Sequence, residues 1–414
     1  MNVVWRACCR LIQGGFHLAL PVLPYREPKI LGHIDDVPEL LKGQNVGSVL
    51  LVTDPGLRGA GLTGPLEAGL EAAGIRCTVY DRTCANPTVY NVEEARALYE
   101  KGGCQCLVAF GGGSSIDCAK AVGARIAYPN KEMEQLKGLL RVLRKIPTLI
   151  AVPTTAGTGS EVTVTAVITD SEEKHKYTMN NFTLIPSYAV LDPEVTVSLP
   201  PHLTATTGMD ALTHAVEAYI GGSTSRETRT LALEAVELIF ANIQIAYRDG
   251  SDRMARKNML HAAYKAGIAF SKSYVGYIHA VAHSLGGQYN IPHGLANSVL
   301  MPIVLEEYGQ VIHRKLHELG VAAGVTTEQD SHQTGAEKFI QAIRELNRSM
   351  NIPETLSGIR REDIPAMARH AAREANPLYP VPRLMDAWEL EQFYYKAADW
   401  RETDGNSGNS GASA

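Results

Sequence analysis

The chain lacks a G-x-G-x-x-G fingerprint placed directly after a strand-like run (G-A-G-L-T-G at 59–64 stands apart from the run at 48–53), and it lacks any C-x-x-C pair, any apolar run of transmembrane length and any surplus of basic charge. The first absence removes the commonest glycine signature of a nucleotide-binding turn, so such a site would have to be built another way. Without C-x-x-C, and with an odd total of seven cysteines, neither a disulfide framework nor a cysteine-bound structural zinc is indicated. Cys8-Cys9 and Cys104/Cys106 are too close for ordinary disulfides. All seven read as reduced thiols, mostly small apolar filling, in a cytoplasmic protein. A net charge of −5 offers no footprint for nucleic acid or acidic lipid, so no nucleic-acid partner and no membrane partner is expected. The N-terminal stretch, with Arg6 and Arg10 before G-G-F-H-L-A-L-P-V-L-P, has the outline of a signal peptide. Its prolines, His17 and missing small-residue cleavage site argue against one, and it reads as an arm or short helix packed on the body. The last ten residues, G-N-S-G-N-S-G-A-S-A (405–414), read as a disordered tail.

What is present is a globular composition, 45% hydrophobic and 20% charged over 414 residues, enough for a large core and two domains. Short apolar runs at 48–53, 77–80, 106–110 and 148–152 read as buried parallel strands. They alternate with helical patterns at 62–73, 92–101 and onward from the glycines at 111–113, which predicts a Rossmann-like, doubly wound α/β unit. Ligands of such sheets bind beyond the carboxyl ends of the strands. Three loops of suitable composition lie there: Asp54-Pro55-Gly56, Gly111-Gly112-Gly113-Ser114-Ser115, and Pro153-Thr154-Thr155-Ala156-Gly157-Thr158. The triple glycine allows a phosphate to approach the backbone at a helix N-terminus. Ser114 and Asp117 also have capping-box spacing, the preferred reading for Asp117. Asp54 suits a ribose 2′-hydroxyl and opposes a 2′-phosphate, although a turn aspartate before Pro-Gly reads equally well. After Leu199-Pro200-Pro201 the texture turns helical, so the expected domains are 1–200, an arm plus the α/β unit, and 201–404, all-helical.

Three of the 13 histidines fall in Y-I-H-A-V-A-H-S-L-G-G-Q-Y-N-I-P-H, residues 277–293. His279 and His283 are four apart and share a helix face; His293 follows Gly286-Gly287 and Pro292, where that helix is expected to have ended. Asp210 and His214 are again four apart, in a segment reading as helix through Tyr219. One carboxylate and three imidazoles suit a divalent metal such as iron or zinc. A histidine-rich helix with capping or core roles is the plainer alternative.

The motifs G-G-G-S-S-I-D-C-A-K-A, P-T-T-A-G-T-G-S-E-V-T, G-M-D-A-L-T-H-A-V-E-A-Y and H-A-V-A-H-S-L-G-G-Q-Y-N-I-P-H-G-L-A-N, in this order and spacing, resemble the iron-containing (group III) alcohol dehydrogenases. That superfamily includes lactaldehyde:propanediol oxidoreductase and 1,3-propanediol dehydrogenase. The resemblance, from about residue 29 to residue 395, implies the dehydroquinate synthase-like fold: a dinucleotide domain, an all-helical domain and a site in the cleft between them. It implies that Asp210, His214, His279 and His293 bind Fe(2+) or Zn(2+), and that His283 lies near the substrate without being a ligand. It further implies that Gly112, Gly113, Ser114 and Ser115 hold the pyrophosphate of NAD, with Asn86, Thr154, Thr155, Thr158 and Lys176 as further cofactor contacts. Asp54 falls at the position associated with NAD preference. The activity implied is hydride transfer between a small primary alcohol or diol and NAD, in a homodimer or higher homo-oligomer. Two alternatives compete: a glycerol dehydrogenase-like or dehydroquinate synthase-like relative, and a nucleotide- and metal-binding regulator without turnover. The phosphate-bearing synthase substrate would demand several cations, and residues 271–293 offer only Lys272.

Overall fold

The computed structural model describes residues 3–19, 24–170 and 175–400. The chain divides into two compact units, one of residues 24–200 and 249–271, the other of residues 1–23, 201–248 and 272–414.

The first unit is built on a six-stranded, all-parallel sheet. Its strands are β1 (Lys29–Leu31), β2 (Ser48–Val52), β3 (Arg76–Tyr80), β4 (Cys106–Gly111), β6 (Thr148–Pro153) and β9 (Tyr188–Val190), in the order β1-β9-β6-β4-β2-β3. Val49 pairs with Cys106, and Cys106 with Thr148. Alternate residues of each central strand go to opposite faces, the period-two consequence of strand geometry. Leu50, Val52, Leu107, Ala109, Leu149 and Ala151 enter one apolar cluster, while Val49, Leu51, Cys106, Val108, Phe110, Ile150 and Val152 enter the other. Both faces are therefore covered, which is why these strands read as unbroken apolar runs. The chain leaves β2 for β3 on one side and returns to β4 on the other, so the carboxyl ends of β2 and β4 flank a topological switch point. A smaller sheet of β5 (Gly138–Leu139), β7 (Thr165–Asp170) and β8 (His175–Asn180) has the order β5-β8-β7, with β7 and β8 antiparallel.

The second unit is helical. Helix Pro201–Ile220 is buried on all sides over its last thirteen residues, which include Asp210, His214 and Glu217. Helix Arg226–Arg248 packs against it. By length and hydropathy alone this second helix could cross a membrane, contrary to the expectation that no run reaches that length. Its buried residues, including Thr228, Ala232, Ala235, Ile239, Ile243 and Ala246, recur every three or four positions, the stripe of a helix lying on a core.

Two departures from the expected boundaries stand out. The expected division near Pro200 coincides with a boundary between the units, but the N-terminal arm does not group with the α/β unit. It forms helix Val3–Ala19, whose Arg10 donates to the carbonyls of Val381 (2.7 Å) and Pro382 (3.0 Å) in the helical unit. Conversely, residues 249–271, most of helix Arg253–Ser273, group with the α/β unit. There Gly267 lies so close to Gly159 that a Cβ on either would meet the other's backbone. The 405–414 tail lies outside the described residues.

Candidate metal centre and phosphate loop

Asp210 and His214 sit one turn apart on helix Pro201–Ile220. His279 and His283 sit one turn apart on helix Tyr277–Tyr289, which does not end at Gly286-Gly287 as expected but continues to Tyr289. It closes at Asn290, in the left-handed region at φ 55°, whose N–H returns to the Gly286 carbonyl at 3.1 Å. His293 then opens a new helix, His293–Tyr308, with Pro292 as its N-cap. Gly294 makes the approach of that helix possible: a Cβ there would lie 2.3 Å from the carbonyl oxygen of Thr206.

These three helices bring Asp210, His214, His279 and His293 together with one ligand atom each, all within 4.8 Å of one another. Asp210 Oδ1 lies 3.5 Å from His293 Nε2 and 3.9 Å from His279 Nε2, and the His214 and His279 rings stack at 4.6 Å. Tetrahedral donors about 2.1 Å from one ion stand roughly 3.4 Å apart, so the cluster is close to a coordination shell. Asp210, His214 and His279 are buried. Burial, then the neighbouring imidazoles of His214, His293 and His283, push His279 well below its ordinary 6.5. It is therefore neutral, the form that binds metal. His283 is not part of the four; its ring stacks on His293 at 5.2 Å, and its side chain is 40% exposed.

Sequence reasoning missed the residue that orients His279. Glu217, buried three positions after His214, takes the His279 Nδ1 hydrogen at 2.6 Å and the Gly276 N–H at 2.7 Å on one oxygen, and the Ile278 N–H at 2.8 Å on the other. With Nδ1 protonated, the lone pair of Nε2 is turned into the cluster, where this buried nitrogen has no hydrogen-bond partner among the described residues. Burial pushes Glu217 up to about 7, against the pull of the backbone N–H groups of Gly276, Ile278 and His279. The convergence of three N–H groups favours the charged carboxylate, and we read it as such. Asn297 donates to Asp210 Oδ1 at 2.7 Å and so holds the fourth donor. Among these groups an orphaned imidazole nitrogen, a neutral ring and a buried carboxylate together fit a divalent cation.

In the other unit, most of the remaining predicted residues gather at the carboxyl ends of β2, β4 and β6. Gly112 caps helix Gly113–Ala127, and Gly113 faces Thr158, whose Cγ2 would lie 2.9 Å from a Cβ on that glycine. Glycine thus lets the 154–158 loop close over the helix N-terminus; Thr154 N–H bonds the Gly111 carbonyl at 3.1 Å. Asn86, in the left-handed region at φ 59°, directs its N–H to Ser114 Oγ at 3.4 Å. Ser115 is buried and Thr155 partly so. Asp54 is the N-cap of the short helix Pro55–Gly59, one oxygen accepting from Leu57 N–H at 3.0 Å. The turn role and the strand-end position are therefore both real. Lys176 lies on β8, with its side chain outside the described residues.

Asp117 does not cap the helix. Its carboxylate accepts from Ser160 Oγ at 2.5 Å and from Val167 N–H at 3.0 Å, while buried Lys120 donates to Thr163 Oγ1 (2.8 Å) and to the carbonyls of Thr163 (2.9 Å) and Thr165 (2.7 Å). This pair ties the first loop's helix to the second loop and to β7.

The family model described as iron-containing alcohol dehydrogenase matches residues 30–193, and that described as Fe-containing alcohol dehydrogenase family, C-terminal, matches residues 204–398. The chain is 37% identical over 348 residues to alcohol dehydrogenase 4 of Saccharomyces cerevisiae, covering 83% of this chain and 89% of that protein. It is 36% identical over 387 residues to 1,3-propanediol dehydrogenase of Klebsiella pneumoniae, covering 92% and 98%. A crystal structure of 1,3-propanediol oxidoreductase superposes with a TM-score of 0.87 at 35% identity, over 91% of this chain and 99% of that one. Sulfoacetaldehyde reductase of Bifidobacterium kashiwanohense, solved with NAD+, gives a TM-score of 0.81 at 26% identity, over 91% and 99%.

Proposed function

The chain belongs to the iron-containing alcohol dehydrogenase family and is an NAD-dependent alcohol oxidoreductase; we propose that Asp210, His214, His279 and His293 hold its catalytic divalent ion, Fe(2+) or Zn(2+). The observation that carries this is the convergence of four ligand atoms within 4.8 Å, with Glu217 locking the His279 tautomer behind them. A divalent ion there supplies a Lewis acid to the substrate oxygen, and NAD supplies the hydride acceptor.

The chain's own residues do the placing. Glu217 and Asn297 orient ligands. His283, exposed and stacked on His293, is the group we assign to proton exchange between the substrate hydroxyl and water. In the α/β unit, the amides that open helix Gly113–Ala127 face a pyrophosphate, with the hydroxyls of Ser114, Ser115, Thr154, Thr155 and Thr158 beside them. Asn86 and Lys176 complete the proposed contacts, and Asp54 takes the ribose. The substrates we propose are small primary alcohols and diols and the matching aldehydes, the class named for the propanediol relatives.

We also propose a homodimer or larger assembly in the cytoplasm. β1 is the terminal strand, with one edge open among the described residues and Ile30 exposed on it, an edge of the kind that pairs between copies. The test is NADH formation by chelator-treated protein given short alcohols and diols, with Fe(II) or Zn(II) restored. Turnover that returns with neither ion would remove the metal from the reading.

A further inference from the structure

Helix Tyr277–Tyr289 repeats one device on successive turns. His279 Nδ1 lies 2.6 Å from a Glu217 oxygen, and His283 Nδ1 lies 2.6 Å from Glu374 Oε1. The first pair is buried and serves the metal cluster. The second stands at its exposed edge, where the His283 ring stacks on His293 with an interplanar angle of 18°. We infer that Glu374 is the positioning residue of His283, holding the proton on Nδ1 so that Nε2, on the opposite edge of the ring, is the atom that exchanges a proton with the substrate hydroxyl. This rests on the role assigned to His283 above.

Glu374 is itself firmly held. It lies on helix Ile364–Ala375, which packs against helix Tyr277–Tyr289, and the oxygen facing His283 also accepts from Tyr379 OH at 2.8 Å. Tyr379 in turn is fixed through its backbone: its N–H bonds the Ala375 carbonyl at 2.7 Å and its carbonyl accepts from Gln13 Nε2 at 2.6 Å. Arg10, one turn before Gln13, holds the next carbonyls, Val381 and Pro382. The N-terminal helix thus clamps the loop that carries Tyr379. The His283 Nδ1 hydrogen and the Tyr379 hydroxyl both point at the same Glu374 oxygen, an arrangement that favours the charged carboxylate. Burial, reinforced by Glu374, pushes Tyr379 well above its ordinary value, so the phenol remains a donor.

The step balances simply. The alcohol O–H bond breaks as Nε2–H forms, the hydride leaves the same alcohol's carbon for NAD, and the imidazolium, paired with the Glu374 carboxylate, releases its proton to water. Without Glu374 the Nδ1–H loses its acceptor and the ring can turn or change tautomer.

The experiment is a double-mutant cycle on the metal-loaded enzyme with a short alcohol that the wild type oxidises. Glu374→Gln is expected to keep one metal per chain and a near-unchanged KM, and to lower kcat about 10- to 100-fold, the usual range for groups that orient a working histidine. Combined with His283→Ala it should add little to the loss from His283→Ala alone, because both remove the same function. A wild-type kcat in Glu374→Gln, loss of metal from it, or fully multiplicative losses in the double variant would each overturn the inference. If Glu374→Gln does not fold, Tyr379→Phe takes its place: kcat must fall at constant metal content, and an unchanged kcat overturns the inference. Failure of the wild type to oxidise any alcohol with either metal would instead sink the reading of the site itself, and this inference with it.

Discussion

Glu217→Gln changes almost nothing in shape and should nevertheless loosen the metal. The carboxylate accepts three N–H groups: Gly276 N and His279 Nδ1 on one oxygen, Ile278 N on the other. An amide offers one oxygen and one NH2. If the NH2 faced Gly276 and His279, two donors would oppose it, or His279 would move its proton to Nε2 and cease to be a ligand. The better orientation gives the amide oxygen to Gly276 and His279 and sets the NH2 against the Ile278 N–H. That orphans two buried donors, the Ile278 N–H and the new NH2, at about 1–3 kcal/mol of stability each. It also replaces an anionic acceptor behind His279 with a neutral one, which lowers the basicity of Nε2. Partners of this kind are worth about 10- to 100-fold in metal affinity, or roughly 1.4–2.7 kcal/mol. The assay is competition with a chelator at fixed Zn(II) or Fe(II), with Tm of the metal-free protein reporting the structural share. Wild-type metal affinity in Glu217→Gln would refute the claim that the Nδ1 hydrogen bond sets the ligand's tautomer.

Three further outcomes follow from the same geometry. His279→Ala should lose bound metal and turnover together, whereas His283→Ala should retain the metal, by elemental analysis, and lose turnover; metal loss in the second would place His283 in the shell. Metal-free protein should lose stability as pH falls below 6.5, because burial and the adjacent imidazoles hold folded His279 well below that value and the unfolded chain binds the proton first. His279→Asn should flatten this dependence of Tm, and an equally steep one would exonerate His279. Asp54→Asn keeps the cap on Leu57 N–H but removes the charge that opposes a 2′-phosphate, so the kcat/KM ratio of NAD to NADP should fall by at least tenfold, only about 1.4 kcal/mol. An unchanged ratio would leave Asp54 as a capping residue alone.

The contrast between the metal cluster and its supports shows which parts of such a site a sequence can carry. Asp210/His214 and His279/His283 announce themselves because a spacing of four puts side chains on one helix face, and the period of an α-helix is a local property. The central strands are legible for the same reason, since burial on both faces leaves continuous apolar runs such as that of β2. β1 and β9 are three residues each, too short for any periodicity, and only their pairing makes them strands. The helix through Gly286-Gly287 survives two poor helix formers because it buries Ala280, Val281 and Leu285 completely, so packing outweighs propensity. Glu217 was in plain view three residues after His214, yet an acidic residue at that spacing reads equally well as a solvated helix face. Its meaning depends on the first turn of another helix, some sixty residues away, pointing its free amides and His279 at it. Glu374 is separated from His283 by 91 residues and carries no motif at all. Ligand pairs are written within one element and can be read there. The carboxylates that fix their tautomers are written between elements, because a partner for Nδ1 must come from the side of the ring that the helix bearing the histidine cannot itself reach.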